Sequence, residues 1–390
     1  ISSKGLNYNL FFKSSFLSTY KLFYLIKNNR FHRKKIIISL VGYANYQSGI
    51  GEDLRSTYLA LASKGLEPRI INFNLNLEKR NINRKFVFKE KDVIFNGKEI
   101  IIICLGPNDC FNYLLSKSTK FFENKYIIGY IPWEFNKWPK SLTSIYKYLD
   151  ELWISSEFTF NAFKEFKKTK TLMPLCIENP EINLEPLSTK KRNFIRNKYN
   201  IPEDNLIFLS SFDLQSFISR KNPWAIIKSF QKIFNPSYLD ENKNNNVNLV
   251  LKTFKPISEN RDWDILKNTV KLDNRIIIIE ENLEYKDLML LYGCCDVFIS
   301  LHRSEGFGRI VAECIMLGLE IIVTNWGGNT DFCSSSSTHL VPFNISEVLP
   351  GTYPFWKHQS WAEPDINKAS EYMLEIFNGK RLNNFFFRSK

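Results

Sequence analysis

Residues 296–332 read DVFISLHRSEGFGRIVAECIMLGLEIIVTNWGGNTDF. DVFISL is a short apolar run of strand length, and EGFGRIVAECIMLG has helical spacing that stops at Gly318. EIIVT is a second apolar run, closed by a glycine loop. Strand, polar loop, helix and strand in that order form the repeating unit of a parallel α/β sheet.

Glu305 and Glu313 stand at either end of the first turns of the predicted helix. On a regular helix they lie about 80° apart around the axis and roughly 12 Å apart along it. Gly306, Phe307 and Gly308 place backbone N–H groups between them, at the positive end of the helix dipole, where a phosphate binds well. A ligand with hydroxyls at both ends and a diphosphate between them, a nucleotide sugar, fits that spacing. The same spacing equally fits Glu305 as a simple complement to the dipole and Glu313 as a solvated helix residue.

Working outward, apolar strands are predicted at IIISLV (36–41), PRIINF, EIIIICLG, KYIIGYI, LIFLSSF, NLVLKTF and RIIIIE, alternating with helical stretches. The 390 residues suffice for two α/β domains, and 44% hydrophobic with 24% charged residues describes a globular chain. The proline-bearing, polar stretch near 178–190 reads as a linker between domains at 36–177 and 191–362, with 363–390 as a closing helical segment. Residues 1–35 mix aromatics (Phe12, Phe16, Tyr20, Phe23) with bases, and no apolar run there is long enough to span a bilayer. The segment fits an interfacial helix on an anionic membrane surface, or a packed helix with a solvated flank. The chain starts at Ile1 without a Met, which suggests a fragment.

Fifty-three Lys and Arg against 40 Asp and Glu give +13, a surface that attracts polyanions. The bases are dispersed and no zinc-finger or RNP-type pattern accompanies them, so nucleic acid is not expected. Seven cysteines without a CxxC spacing read as reduced thiols of a cytosolic protein, and no zinc site is expected. Gly49 and Gly51 lie at a strand-to-helix turn but do not complete a dinucleotide GxGxxG fingerprint. Trp133 and Glu134 follow a strand end, where ligands bind in open sheets, although the tryptophans also fit a loop brace. Arg220 and Lys221 precede Asn222–Pro223 at a helix start and suit a diphosphate.

EGFGRIVAE, preceded by SLHRS and followed by IIVTNWGG and NTDF, resembles the Glu-x7-Glu site of retaining glycosyltransferases of family four. The RKNP segment and WAEPD are similar to segments of the same family. The resemblance implies a GT-B fold: α/β, two facing Rossmann-like domains with parallel sheets and an interdomain cleft, the last helix packing back on the N-terminal domain. It implies transfer of a hexosyl unit, mannose-like by similarity to bacterial polysaccharide and O-antigen mannosyltransferases, to a glycan or lipid-linked glycan acceptor. Arg220, Lys221 and Glu305 would be catalytic; Gly49, Gly51, Gly306, Phe307, Gly308 and Glu313 would bind the donor. Trp133, Glu134, His302 and Arg303 would line the acceptor side. No metal is expected, and Asp262-x-Asp264 reads as helix surface. Such an enzyme would work in the cytoplasm, peripheral to the inner face of the membrane. A hydrolase or epimerase of the same fold, or a non-catalytic nucleotide-sugar binder, would carry the same motifs.

Overall fold

The computed structural model describes residues 37–73, 99–177, 187–234, 246–380 and 382. The basic aromatic segment 1–35 and most of the expected linker lie outside these residues. The chain divides into two compact units, Ile1–Asn179 and Pro180–Lys390.

The first unit holds β1 (Ile37–Gly42), α1 (Gly49–Ala62), β2 (Arg69–Asn72), β3 (Glu99–Cys104), α2 (Pro107–Leu115), β4 (Lys125–Gly129), β5 (Glu151–Ile154), α3 (Glu157–Phe160) and β6 (Thr169–Leu172). The strands form one parallel sheet in the order β2-β1-β3-β4-β5-β6. Continuous apolar runs such as EIIIIC make central strands buried on both faces. Leu40, Leu54, Ile102, Ile128 and Trp153 share its core. Strand β6, which the sequence reading did not single out, is an edge strand whose TKTL lacks an apolar face.

The second unit holds α4 (Thr189–Lys198), β7 (Leu206–Ser211), α5 (Ile218–Lys221), α6 (Pro223–Ile233), β8 (Val247–Thr253), α7 (Arg261–Val270), β9 (Ile276–Glu280), α8 (Tyr285–Gly293), β10 (Val297–Ser300), α9 (Arg309–Met316), β11 (Glu320–Thr324), β12 (His339–Val341), β13 (Phe343–Glu347), β14 (Ser360–Pro364) and α10 (Ile366–Phe377). Strands β7 to β12 form a second parallel sheet in the order β12-β11-β10-β7-β8-β9. Alternation along each strand divides the core between two faces. Phe208, Leu249, Leu251, Val297 and Ile299 meet α6, α7 and α10 on one side. Ile207, Leu209, Val250, Phe298 and Ile321 meet α4, α8 and α9 on the other. Two parallel α/β sheets, one per unit, agree with the expected fold class.

The closing helix α10 buries Ala369, Met373 and Ile376 in the second unit's own core, against Phe208 and Phe230. Just before it, Ser360–Pro364 pairs antiparallel with Phe343–Glu347 in the β13–β14 hairpin, with Phe343 opposite Pro364.

Arg196, wholly buried on α4, locks the sheet's amino edge. Its guanidinium donates to the carbonyls of Pro202, Glu203, Asn205 and Cys294 and to Asp296, at 2.7–3.0 Å. Asp296 also accepts from the Ile207 N–H at 2.9 Å and from Arg192 at 2.7 Å.

Candidate active site

The second sheet reverses its winding between β7 and β10: β8 and β9 extend it one way, β11 and β12 the other. The crevice outside the carboxyl ends of strands at such a reversal is where open α/β sheets bind ligands. Strand β7 runs on into the Arg220–Lys221 turn and β10 into the loop 301–308, so two segments about eighty positions apart in sequence meet there because their strands are neighbours.

The turn is bounded by two non-glycine residues with left-handed backbone, Phe217 (φ 64°) and Asn222 (φ 53°). Such conformations persist only when their surroundings hold them. The Asn222 side chain donates to the Leu301 carbonyl at 3.1 Å, the Phe217 ring meets Tyr353 at 4.9 Å, and the Ser219 hydroxyl donates to the Thr352 carbonyl at 2.9 Å. Arg220 Nη1 donates to the Ser304 carbonyl at 2.8 Å and stands 3.4 Å from Glu305 Oε1. Lys221 Nζ donates to the same carboxylate oxygen. The two cations therefore converge on Glu305. Burial alone would raise the Glu305 carboxyl, but Lys221, and then Arg220, bring it down to about 2.

Helix α9 starts only at Arg309, with Gly308 (φ 91°) as its N-cap. Glu305, Gly306 and Phe307 thus belong to the loop, and the wheel geometry predicted for the two glutamates does not apply to Glu305. A side chain at Gly308 would be strained by its backbone and would crowd Asn329 Cβ at 3.3 Å. The Phe307 ring is buried against Phe332, at 5.2 Å. Glu313 lies inside the helix but is not solvated: it is buried, accepts from the Tyr285 hydroxyl at 3.0 Å and lies 3.8 Å from Arg309. That removes the solvated-helix alternative left open by the spacing.

His302 is fully buried. Its Nε2 donates to the Trp326 carbonyl at 2.9 Å, which leaves Nδ1 to accept from the Ser300 hydroxyl at 3.0 Å. Burial lowers it to about 4, with Lys221 and Arg220 adding to the effect against Glu305. A neutral histidine with both nitrogens engaged braces the loop. Arg303 is engaged as well, through Nε to Glu363 at 2.6 Å and Nη1 to the Ser219 carbonyl at 2.7 Å, with its guanidinium 5.1 Å from the Trp361 ring. Its own N–H donates to the Arg220 carbonyl at 2.8 Å.

Gly49, Gly51, Trp133 and Glu134 lie in the first unit. Gly49 opens α1 and nothing would obstruct a side chain there; at Gly51 a Cβ would collide with the carbonyls of Tyr46 and Tyr43. Gly51 thus allows α1 to approach the 43–46 loop, which Arg55 ties down through the Ala44 and Tyr46 carbonyls at 3.0 and 3.1 Å. Trp133 is buried, donates to the Lys137 carbonyl at 2.9 Å and packs on Trp138, the arrangement of a loop brace. Glu134 is half-buried. All seven cysteines are free thiols, six of them buried. Asp264 pairs with Lys267 at 3.2 Å on α7, and no cluster suited to a metal ion occurs among the described residues.

The sequence reading gave no role to Gly327 and Gly328. The Gly328 N–H donates to the Glu305 carbonyl at 2.8 Å, and a Cβ at Gly327 (φ 110°) would come within 2.7 Å of that oxygen. Asn329, fully buried, donates to the Thr324 carbonyl at 3.0 Å and fixes the same loop. The adjacent glycines after β11 were the available signal.

No curated protein matches the chain. Among solved structures it is similar to sucrose-phosphate synthase from Thermosynechococcus elongatus (TM-score 0.62, 13% identity, 89% of this chain and 90% of that one). It is also similar to a glycosyltransferase from Rickettsia africae (0.56, 17%, 89% of each) and to Anabaena Alr3699/HepE in complex with UDP (0.55, 11%, 88% and 89%). At these identities the likeness is one of fold. Within that fold, residues 191–347, which carry the Arg220–Lys221 turn, Glu305 and Glu313, match the family model described as glycosyl transferases group 1.

Proposed function

We propose that the protein transfers a hexosyl unit, mannose-like by preference, from a nucleotide diphosphate sugar to an acceptor hydroxyl of a growing or lipid-linked glycan, with retention at the anomeric carbon. The observation that carries the reading is the convergence of Arg220 and Lys221 on Glu305 at the switch point of the second sheet, inside the stretch that matches the family model.

The chemistry asks for a stabilised diphosphate leaving group. When the bond from C1 to the diphosphate oxygen breaks, its electron pair stays on that oxygen. The acceptor oxygen bonds C1 on the same face, and its proton passes to the departing phosphate. Arg220, Lys221 and the N–H groups of Phe307 and Gly308 supply positive charge for that oxygen, each contact contributing on the order of 2–4 kcal/mol in the transition state. With two side-chain cations in place, transfer proceeds without a metal. Glu305 exchanges its ion pair for hydroxyls of the transferred sugar, and Glu313 holds the ribose. The enzyme works at the cytoplasmic face of the membrane, where lipid-linked acceptors are presented.

A thermal-shift screen of UDP, GDP and ADP and their hexoses, in EDTA, tests the reading. Stabilisation by one nucleoside diphosphate, lost in Lys221→Ala, is expected. Product analysis with the stabilising donor separates transfer from release of free sugar. Absence of a shift with every donor would refute a nucleotide-sugar site.

A further inference from the structure

We propose that the amino edge of the first unit's sheet docks on an anionic lipid bilayer. Strands β4, β5 and β6 are parallel neighbours, so the connections leading into them return to one edge, opposite the carboxyl ends where ligands bind. Each return brings lysines. Residues 115–126, 145–150 and 161–170 contain eight lysines and three acids. Lys168 stitches two of the returns together, its Nζ donating to the carbonyls of Lys147 at 3.3 Å and Leu149 at 2.6 Å. Of the acids, Asp150 already accepts the Ile127 N–H at 2.9 Å. Lys120, Lys147, Lys164, Lys167 and Lys168 are exposed.

The same edge is aromatic. Phe121 meets Phe122 at 5.2 Å, edge to face, and Phe122 stacks on Tyr148 at 5.0 Å. The ammonium of Lys117 lies 4.3 Å from the Tyr113 ring centre, that of Lys125 5.2 Å from Phe121 and that of Lys147 4.7 Å from Tyr148. Beside them Leu115 and Tyr126 are 46% and 40% exposed. Lysine stems laid over rings with their charges at the rim, next to exposed apolar side chains, suit the boundary between headgroups and acyl chains. A single-stranded nucleic acid would need open ring faces for its bases. Here those faces are covered by lysines and by one another, which favours the bilayer. Docking by this edge holds the carboxyl ends of the first sheet, with the Gly49 loop, on the aqueous side.

The surface is argued from residues 113–170 alone and does not depend on the transferase reading. The test is co-sedimentation of the full chain with phosphatidylcholine vesicles containing about one-third phosphatidylglycerol, in low salt. Lys120→Glu, Lys147→Glu and Lys167→Glu combined should lower partitioning at least about tenfold, because several lysines act together at a charged surface. Lys255→Glu, Lys271→Glu and Lys286→Glu combined, exposed positions of the second unit with the same total charge change, should stay within about twofold of wild type. Leu115→Ser should weaken binding by about threefold without altering charge. The proposal is overturned if wild type does not bind, if the patch variant binds as wild type does, or if the control variant loses as much. Loss of single-stranded RNA binding in the patch variant, with vesicle binding intact, would overturn it equally.

Discussion

Glu305 is the side chain on which the second unit's site turns, since its carboxylate is only 15% exposed and carries the charge that Lys221 and Arg220 answer. Lys221→Ala should cut turnover at least about a hundredfold, the usual cost of losing one oxyanion contact; steady-state kinetics on the identified donor measures it. Glu313→Ala should weaken binding of the nucleoside diphosphate alone, read by calorimetry, and unchanged affinity would confine Glu313 to its bond with Tyr285. Acid stability depends on the same cluster. His302, at about 4 instead of 6.5, and Glu305, at about 2 instead of 4.5, both bind fewer protons folded than unfolded in acid. Stability should therefore be full above pH 6.5, fall towards 4 through His302, and fall further towards 2 through Glu305. Urea midpoints measured across that range check it, and Lys221→Ala should flatten the lower part.

Among the elements, α4 and α10 matter most to the second sheet. Arg196 joins α4 to Asp296 ahead of β10 and to the carbonyls ahead of β7. Removing it strands a buried carboxylate, so Arg196→Ala should cost about 3–5 kcal/mol of unfolding free energy. Met373 on α10 is wholly buried, and Met373→Ala should cost about 2–5 kcal/mol; chemical denaturation of either variant gives the value. The hairpin β13–β14 holds Arg303 through Glu363 and Trp361, and Arg303 in turn holds the backbone of the 218–221 turn at Ser219 and Arg220.

At the scale of the whole molecule, each unit has its own sheet and core. Calorimetry should show two unfolding transitions, with a nucleoside diphosphate at about a hundred times its Kd stabilising one of them by about 2.7 kcal/mol. A single transition unmoved by every nucleotide would contradict this. No helix among the described residues is long and apolar enough to cross a membrane.

The sequence by itself determined the two α/β halves, because buried parallel strands require unbroken apolar runs and those are visible as IIISLV, EIIIIC and EIIVT. It also marked Arg220 and Lys221, beside Asn222–Pro223 at a helix start, and Glu305, beside Gly306, with Glu313 eight residues further on. It did not show that Glu305 sits ahead of the helix, because the left-handed Gly308 that starts α9 looks like any glycine in a string. Nor did it show that His302 and Arg303 are braces: what a side chain bonds to depends on carbonyls from Trp326 and Ser219, distant along the chain and brought close only by strand order. The destination of α10 was likewise decided by tertiary packing, since an apolar stripe specifies that it must be covered but not by which core.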